Sequence, residues 1–353
     1  MKSALNPINW LLFRPPPATY SESSFPGELC WIPESSSVTH LPPPPSLIDL
    51  DIIPESKESD SPPLEKWLIR ELSEHSRKHI PCLLLQSAKS KGNLLLIYCH
   101  GNEEDLGTIY TKLSALANAL PEIAILAVEY PGYGIFSISG KPSEDQINET
   151  VESVYFFVRQ RLEWKAEQIV LVGRSLGSGP ALRITTMFGA GGLILISAYT
   201  SINDVASKFI GDAASWLDKK FANSDLIKKL TCPVLFIHGE KDALIPSDHS
   251  LTLFKRCTRV KEEDKDVHLS VDMTHNSFDV HEDFIKPISR IVQKVIRSLQ
   301  FQHALKFGFA DELLVLSPRS SSKRVALESF LLPPSLFRSP KVRASRSSSS
   351  FWS

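Results

Sequence analysis

Residues 168–182 read QIVLVGRSLGSGPAL, in which a run of apolar residues leads through a G-x-S-x-G motif into a helical pattern. A strand that reverses sharply into a helix strains the central residue, and side chains at the flanking positions would collide. Gly173 and Gly177 therefore favour a turn that lifts the Ser175 hydroxyl out towards a substrate. The alternative is a plain glycine-rich turn, in which Ser175 has no chemical role.

The chain around this motif alternates short apolar runs with longer segments of helical period. This pattern is typical of a mostly parallel sheet covered by helices on both faces, so the sequence predicts an α/β fold. Strands buried on both faces are predicted at residues 94–99, 123–129, 168–172, 193–197, 234–238 and 267–271. Residues 67–72 and 79–86 are predicted to pair as antiparallel strands at the sheet edge.

A serine hydroxyl is a poor nucleophile unless a base removes its proton, so an acid and a histidine should follow at later strand ends. Asp242 lies in the loop after the strand predicted at 234–238, and His275 follows the last predicted strand. We predict Asp242 as the acid and His275 as the base. Glu240 and Asp248 are weaker candidates for the acid, and His281 is the rival base. The structural alternative is a loop carboxylate that caps the next helix and an ordinary surface histidine.

The loop after the first parallel strand reads HGNEED and is predicted to complete an oxyanion hole. One backbone N–H would come from Leu176, after the serine, and the second from Asn102, with Glu103 as the alternative donor. His100 is expected to brace the loop through a hydrogen bond. Residues 103–105 are expected to form a solvated helix N-terminus, which the helix dipole favours.

The composition excludes several other classes of protein. Forty acidic residues against 39 basic ones give a formal net charge of -1, so no overall field attracts nucleic acid. The sequence has no Walker loop, H-E-x-x-H or G-x-G-x-x-G motif, so neither a cofactor nor a metal is predicted. No apolar run approaches the roughly 20 residues of a membrane-spanning helix. Five cysteines without C-x-x-C spacing favour a reducing, cytoplasmic compartment.

Four regions are predicted along the chain. Residues 1–63 contain 13 of the 25 prolines and are expected to form an irregular arm. Residues 64–300 form the α/β domain, with a short helical cap at about 198–231. Residues 301–316 are a linker or terminal helix. Residues 317–353 hold thirteen serines and seven basic residues against one glutamate, which predicts disorder.

From about residue 13 to residue 299 the chain resembles the α/β-hydrolase superfamily, and within it the α/β-hydrolase domain-containing 17 proteins and their Bem46-like relatives. The matching motifs are FRPPPATY at 13–20, HGN with DLG at 100–107, EYPGYG at 129–134, GRSLGSG at 173–179, HG with Asp242 and IP at 238–246, and THN at 274–276. The resemblance implies an α/β-hydrolase fold and a catalytic triad of Ser175, Asp242 and His275.

The resemblance also implies a substrate. The best understood members are similar to acyl-protein thioesterases, which remove palmitate from membrane-associated proteins, so an acylated protein or a lipid ester is expected. A lipase or lysophospholipase would use the same residues. A non-catalytic scaffold with this fold would have lost the nucleophile, acid or base, and none is lost here.

Two features depart from the family pattern. The cysteine cluster that anchors those depalmitoylases to membranes has no counterpart, since residues 1–29 lack cysteine and Cys30 stands alone. The basic tail at 317–353 is additional. It is either a bare extension or a peripheral contact with anionic lipid, which would contribute about 1 kcal/mol per cation and be released by phosphorylation.

Overall fold

The computed structural model describes residues 13–34, 79–87, 92–136, 142–210 and 221–306, and within these ranges eight strands form one sheet. The strands are β1 (Leu29–Pro33), β2 (His79–Gln86), β3 (Leu94–Cys99), β4 (Ile123–Val128), β5 (Ile169–Arg174), β6 (Gly192–Ile196), β7 (Val234–Gly239) and β8 (Lys265–Ser270). The α-helices are α1 (Leu106–Ala119), α2 (Glu144–Gln160), α3 (Ser178–Phe188), α4 (Ile202–Ile210), α5 (Asn223–Leu226), α6 (Asp248–Arg256) and α7 (Lys286–Lys306).

The strand order is β1-β2-β4-β3-β5-β6-β7-β8. Strands β3 to β8 run parallel, whereas β2 is antiparallel to both β1 and β4. Strands β3 to β7 are buried along their whole length, which explains their nearly continuous apolar sequence. This arrangement is the α/β-hydrolase fold that the resemblance implies.

Two apolar cores lie on opposite faces of the sheet, because side chains alternate along each strand. In β3, Leu95 and Ile97 contribute to one core and Leu94 and Leu96 to the other. Helices α2, α3 and α6 cover the first face, and α1 and α7 cover the second. The sheet therefore forms a rigid middle layer whose loops can hold side chains in fixed positions.

The start of α2 shows how local sequence sets an element. The hydroxyl oxygen of Ser143 accepts a hydrogen bond from the backbone N–H of Gln146 at 3.2 Å, which caps the N-terminus of the helix. The apolar positions Ile147, Val151 and Val154 then recur at three or four residues and are fully buried. Helix α2 is therefore an amphipathic cover of the sheet.

The sheet edges differ from the sequence prediction. Residues 67–72 lie outside the described part of the chain, and the strand that pairs with β2 at this edge is β1, with Cys30 opposite Cys82. The arm at 1–63 is therefore not irregular throughout, since an edge strand tolerates a terminal proline such as Pro33. At the other edge β8 is only partly buried, unlike the prediction, because it pairs on one side with β7.

The cap and the C-terminal regions are described in part. Helices α4 and α5 belong to the predicted cap, and residues 211–220 between them, with Trp216 and Leu217, lie outside the described ranges. Helix α7 extends to residue 306, so the terminal helix continues past 300, and the tail at 317–353 also lies outside. Among the described helices, none combines the length and apolarity needed to cross a bilayer.

Candidate active site

Ser175 lies at the sharp turn between β5 and α3. Its φ is +49°, a left-handed conformation that is uncommon for a residue with a side chain. A Cβ on Gly173 would lie 2.5 Å from the carbonyl oxygen of Gly177, and a Cβ on Gly177 would collide with the carbonyl oxygen of Cys99. Both glycines are thus required by the close approach of the turn to its own backbone and to β3.

The structure brings Ser175, Asp242 and His275 together in one hydrogen-bonded series. The Ser175 Oγ lies 3.0 Å from His275 Nε2, and His275 Nδ1 lies 2.8 Å from Asp242 Oδ2. The three residues follow β5, β7 and β8, and the carboxyl ends of parallel strands meet at one edge of a sheet. The rival candidates do not take part. His281 is exposed and contacts Glu282 instead, and the carboxylates of Glu240 and Asp248 belong to exposed residues outside this series.

The Asp242 side chain is fully buried. Burial alone would raise the pKa of its carboxyl group, but hydrogen bonds from His238 and His275 outweigh this effect and hold the pKa well below its usual range. Its second oxygen, Oδ1, accepts hydrogen bonds from the backbone N–H groups of Leu244 at 3.0 Å and Ile245 at 2.8 Å. These bonds fix the orientation of the carboxylate, so Oδ2 faces the imidazole.

His238 supports this acid from the end of β7, a role the sequence analysis missed. Its Nε2 donates to the carbonyl oxygen of Ile245 at 2.8 Å, and its Nδ1 lies 2.7 Å from Ser250 Oγ. The ring is fully buried, and its Nε2 lies 3.4 Å from Asp242 Oδ2. A histidine within an otherwise apolar buried strand, four residues before the acid, was the available signal.

The predicted oxyanion loop, residues 100–105, is held by several hydrogen bonds. The Asn102 side-chain oxygen accepts from Tyr133 Oη at 2.6 Å and from the backbone N–H of Arg14 at 3.2 Å. The N-terminal segment thus contacts this loop directly. Leu176 follows Ser175 in the turn and is buried, and its carbonyl oxygen accepts from Tyr199 Oη at 3.1 Å. These contacts fix both residues from which an oxyanion donor is expected.

His100 braces the same loop, as predicted. It is fully buried, with Nδ1 2.9 Å from the carbonyl oxygen of Gly101 and Nε2 2.8 Å from Glu129 Oε1. Both partners are acceptors, so both ring nitrogens carry protons. Burial opposes this charge, but hydrogen bonding and attraction to Glu129 prevail and raise the pKa of His100. Glu129 also accepts from Tyr20 Oη at 2.8 Å, and sequence analysis gave neither residue a role.

The expectation of a solvated EED segment at 103–105 is wrong for two of its three residues. Asp105 is fully buried and caps α1, accepting from the backbone N–H of Thr108 at 2.9 Å. The Glu104 side chain is 13% exposed and pairs with Arg174. Only Glu103 is exposed. The sequence could not show that buried cations and amide donors surround these carboxylates.

The described residues contain no cluster of three or more histidine, cysteine or acidic side chains that could hold a metal ion. Chemically, the site offers a hydroxyl, an imidazole and a carboxylate in contact. That arrangement can transfer a proton away from a serine hydroxyl as it attacks an electrophile.

Comparisons with known proteins identify relatives of this chain. The chain is 30% identical to α/β hydrolase domain-containing protein 17B of Xenopus laevis over 221 residues, which are 62% of this chain and 73% of that protein. It is 32% identical to protein 17C of Mus musculus over 181 residues, 51% of this chain and 55% of that protein. No family model matches the chain. A solved esterase domain from Rhodothermus marinus has a TM-score of 0.46 and 15% identity, and the match covers 62% of this chain and 93% of that one.

Proposed function

The chain belongs to the α/β hydrolase domain-containing protein 17 family, and on that premise we propose that it is a serine hydrolase that cleaves carboxylic esters and thioesters through an acyl-enzyme. One observation carries the proposal. Ser175 Oγ, His275 and Asp242 form an unbroken series with contacts of 3.0 and 2.8 Å. In this order a buried carboxylate orients an imidazole, and the imidazole activates a serine.

The proposed reaction has two steps. His275 Nε2 takes the proton of Ser175 as Oγ attacks the carbonyl carbon, and the same imidazole then protonates the leaving alcohol or thiol. Water, deprotonated by His275, next attacks the acyl-enzyme, and the imidazolium returns the proton to Ser175 Oγ as the acid is released. Asp242 keeps its negative charge throughout, and this charge stabilises the imidazolium that forms in each step.

The negative charge on the carbonyl oxygen needs donors of its own. We assign them to the backbone N–H groups of Leu176 and Asn102, with Glu103 as the alternative to Asn102. Each such donor contributes about 10²–10³ in rate. The Tyr133 and Arg14 contacts to the Asn102 side chain support this assignment because they restrain the loop before substrate arrives.

Within this reaction class we propose an acyl-protein thioesterase. The family resemblance favours it, and the cap insertion at 198–231 is short, which suits an acyl chain attached to a bulky carrier. We place the protein in the cytoplasm, since all five cysteines are free thiols. Peripheral membrane contact through the tail at 317–353 stays a prediction about residues outside the described ranges.

A substrate panel tests the proposal with p-nitrophenyl esters, a palmitoyl-thioester peptide and a lysophospholipid. Wild type should turn over the thioester, and Ser175→Ala should lose on the order of 10⁶ in kcat with its melting temperature retained. Ser178→Ala is the matched control, because it removes a serine hydroxyl three residues further along. That hydroxyl accepts from Asn223 and does not contact His275 in the structure.

The outcomes separate the candidates. Retention of most activity by Ser175→Ala, or fluorophosphonate labelling of any other residue, would refute the nucleophile. Turnover of the lysophospholipid in preference to the thioester would support the lipase alternative. If the wild type showed neither turnover nor labelling, the remaining candidate would be the non-catalytic scaffold.

A further inference from the structure

We propose that Arg174, paired with Glu104, is a positioning residue. It connects the loop that carries His275 to the oxyanion loop and so holds the His275 imidazole within hydrogen-bond distance of Ser175. This inference rests on the proposed hydrolase function. Arg174 occupies the variable position before the serine in G-x-S-x-G, at the end of β5. Its guanidinium touches neither Ser175 Oγ nor the imidazole atoms in the described contacts, so it acts through the backbone.

One nitrogen of the guanidinium binds the histidine loop. Arg174 Nη2 donates to the carbonyl oxygen of His275 at 2.5 Å and to Asn276 Oδ1 at 2.9 Å. Both hydrogens on this nitrogen are therefore used on two successive residues of the loop. The contacts span about a hundred positions of sequence and tie the base to the strand that carries the nucleophile.

The other nitrogen binds the oxyanion loop through a carboxylate. Arg174 Nη1 lies 3.0 Å from Glu104 Oε2, and the same oxygen accepts the backbone N–H of Gly101 at 2.7 Å. Gly101 directly precedes Asn102, the residue to which we assign an oxyanion donor. A single planar fork thus reaches both loops, which a lysine ammonium cannot do with the same geometry.

The charged groups of this cluster are largely buried, and two cations share one carboxylate. Arg174 is 3% exposed, and the Glu104 carboxylate also pairs with Lys112. The Lys112 ammonium lies 5.9 Å from the centre of the Tyr98 ring. A buried ion pair is weak evidence for stability, because apolar residues of similar volume often serve as well. What the pair does supply here is a fixed distance between two loops that come from different strands.

Position matters at this site because proton transfer depends on contact. The imidazole lies 3.0 Å from Ser175 Oγ, and a displacement of about 1 Å in a reacting group can reduce turnover about 10²-fold. The internal bonds of the histidine loop, such as Thr274 N–H to the Ser277 carbonyl oxygen at 2.8 Å, shape the loop but do not tie it to β5. Arg174 provides that tie.

The test compares Arg174→Gln, Arg174→Lys and the control Arg183→Gln in the full chain. Arg183, on α3, forms a longer and more exposed ion pair with Glu152 at 3.6 Å and has no contact with the histidine loop among the described residues. We expect Arg174→Gln to lower kcat about 10²-fold with KM changed less than about threefold, since placement of the base and not substrate binding is lost. Arg174→Lys should stay at least about tenfold below wild type, because it keeps the charge but not the fork. Arg183→Gln should match wild type.

A second readout does not depend on the ester substrate. The rate at which a fluorophosphonate probe labels Ser175 should fall in parallel with kcat in the Arg174 variants. If Arg174→Gln melts at a much lower temperature, Asn276→Ala replaces it, because Asn276 is exposed and the variant loses one acceptor of Arg174 and a 3.4 Å contact from Asn276 Nδ2 to Glu103 Oε2. We expect Asn276→Ala to lower kcat about fivefold at an unchanged melting temperature, the smaller effect expected when one contact of several is lost.

The failures are distinguishable. If Ser175→Ala abolishes turnover while Arg174→Gln and Asn276→Ala keep wild-type kcat and labelling rate, the positioning role is overturned and the hydrolase function stands. If Arg174→Lys restores full kcat, charge alone suffices and the fork is not needed, which also overturns it. If Ser175→Ala keeps its activity, the proposed function itself fails.

Discussion

Replacing Asp242 with asparagine exchanges one carboxylate oxygen for an NH₂ group with almost no change in volume. The structure determines which oxygen remains. Asp242 Oδ1 accepts the backbone N–H groups of Leu244 and Ile245 at 3.0 and 2.8 Å, so the amide oxygen must take that place. The amide nitrogen then faces His275 Nδ1, which lies 2.8 Å from Oδ2 in the wild type.

A donor at this position reverses the tautomer of the imidazole. Nδ1 must now accept a hydrogen bond, so the ring proton moves to Nε2, the nitrogen that has to take the proton of Ser175. The wrong tautomer lowers turnover about 10⁴-fold, or about 5.4 kcal/mol of barrier. Rotating the amide would restore the tautomer but leave two buried N–H groups without an acceptor, at about 1–3 kcal/mol each. The loss in kcat therefore lies between about 30-fold and about 10⁴-fold.

The assay is steady-state hydrolysis of a p-nitrophenyl ester, with kcat and KM measured separately and folding followed by thermal unfolding. Asp248→Asn is the matched control, because Asp248 is a nearby exposed carboxylate that starts α6. It should keep wild-type kcat. A kcat for Asp242→Asn above one tenth of wild type, with the control unchanged, would refute the assignment of Asp242 and the tautomer argument with it.

Two further outcomes follow from buried titratable groups. Burial alone would raise the pKa of Glu104, but the ion pairs with Lys112 and Arg174 outweigh burial and lower it. The ionised Glu104 side chain therefore stabilises the folded state above the unfolded pKa of about 4.3, and this stabilisation is lost as the pH falls. Urea titrations between pH 5 and pH 3 measure how fast the free energy of unfolding falls with pH. In Glu104→Gln this fall should be less steep than in the wild type, by up to about 1.4 kcal/mol per pH unit. Equal slopes in the two proteins would contradict the ion pairing. Burial also raises the pKa of the Cys99 thiol to about 12, so at pH 8 iodoacetamide should modify it about 10³-fold more slowly in the native protein than in urea. Equal rates, measured by mass spectrometry, would show that β3 is not closed to solvent.

Much of the fold was predictable because its signals are local. The runs that became β3 to β7 carry nearly continuous apolar residues, and a strand buried on both faces requires little else of its sequence. The serine turn was predictable for a similar reason, since Gly173 and Gly177 meet a steric demand within five residues. The Ser143 cap of α2 likewise depends on residues three apart.

The edges of the sheet were not predictable in this way. β1 lies in a proline-rich segment and pairs with residues about fifty positions away, so its own sequence does not identify the strand with which it pairs. The ion pair between Arg174 and Glu104 has the same origin. Each residue read alone looks like an ordinary charged surface position. Only the sheet order brings them into one buried cluster.

By itself, then, the sequence determined the inner strands β3 to β7, the serine turn and the residue types from which the site is built, because each of these depends on neighbours within a few positions. Tertiary structure alone decided which charges are buried, which loops Arg174 joins, and that His238 supports Asp242 from β7. The physical reason is distance along the chain. These site contacts join residues that are far apart in sequence, and they form only because the parallel strands end at a common edge of the sheet. No local sequence pattern specifies that arrangement.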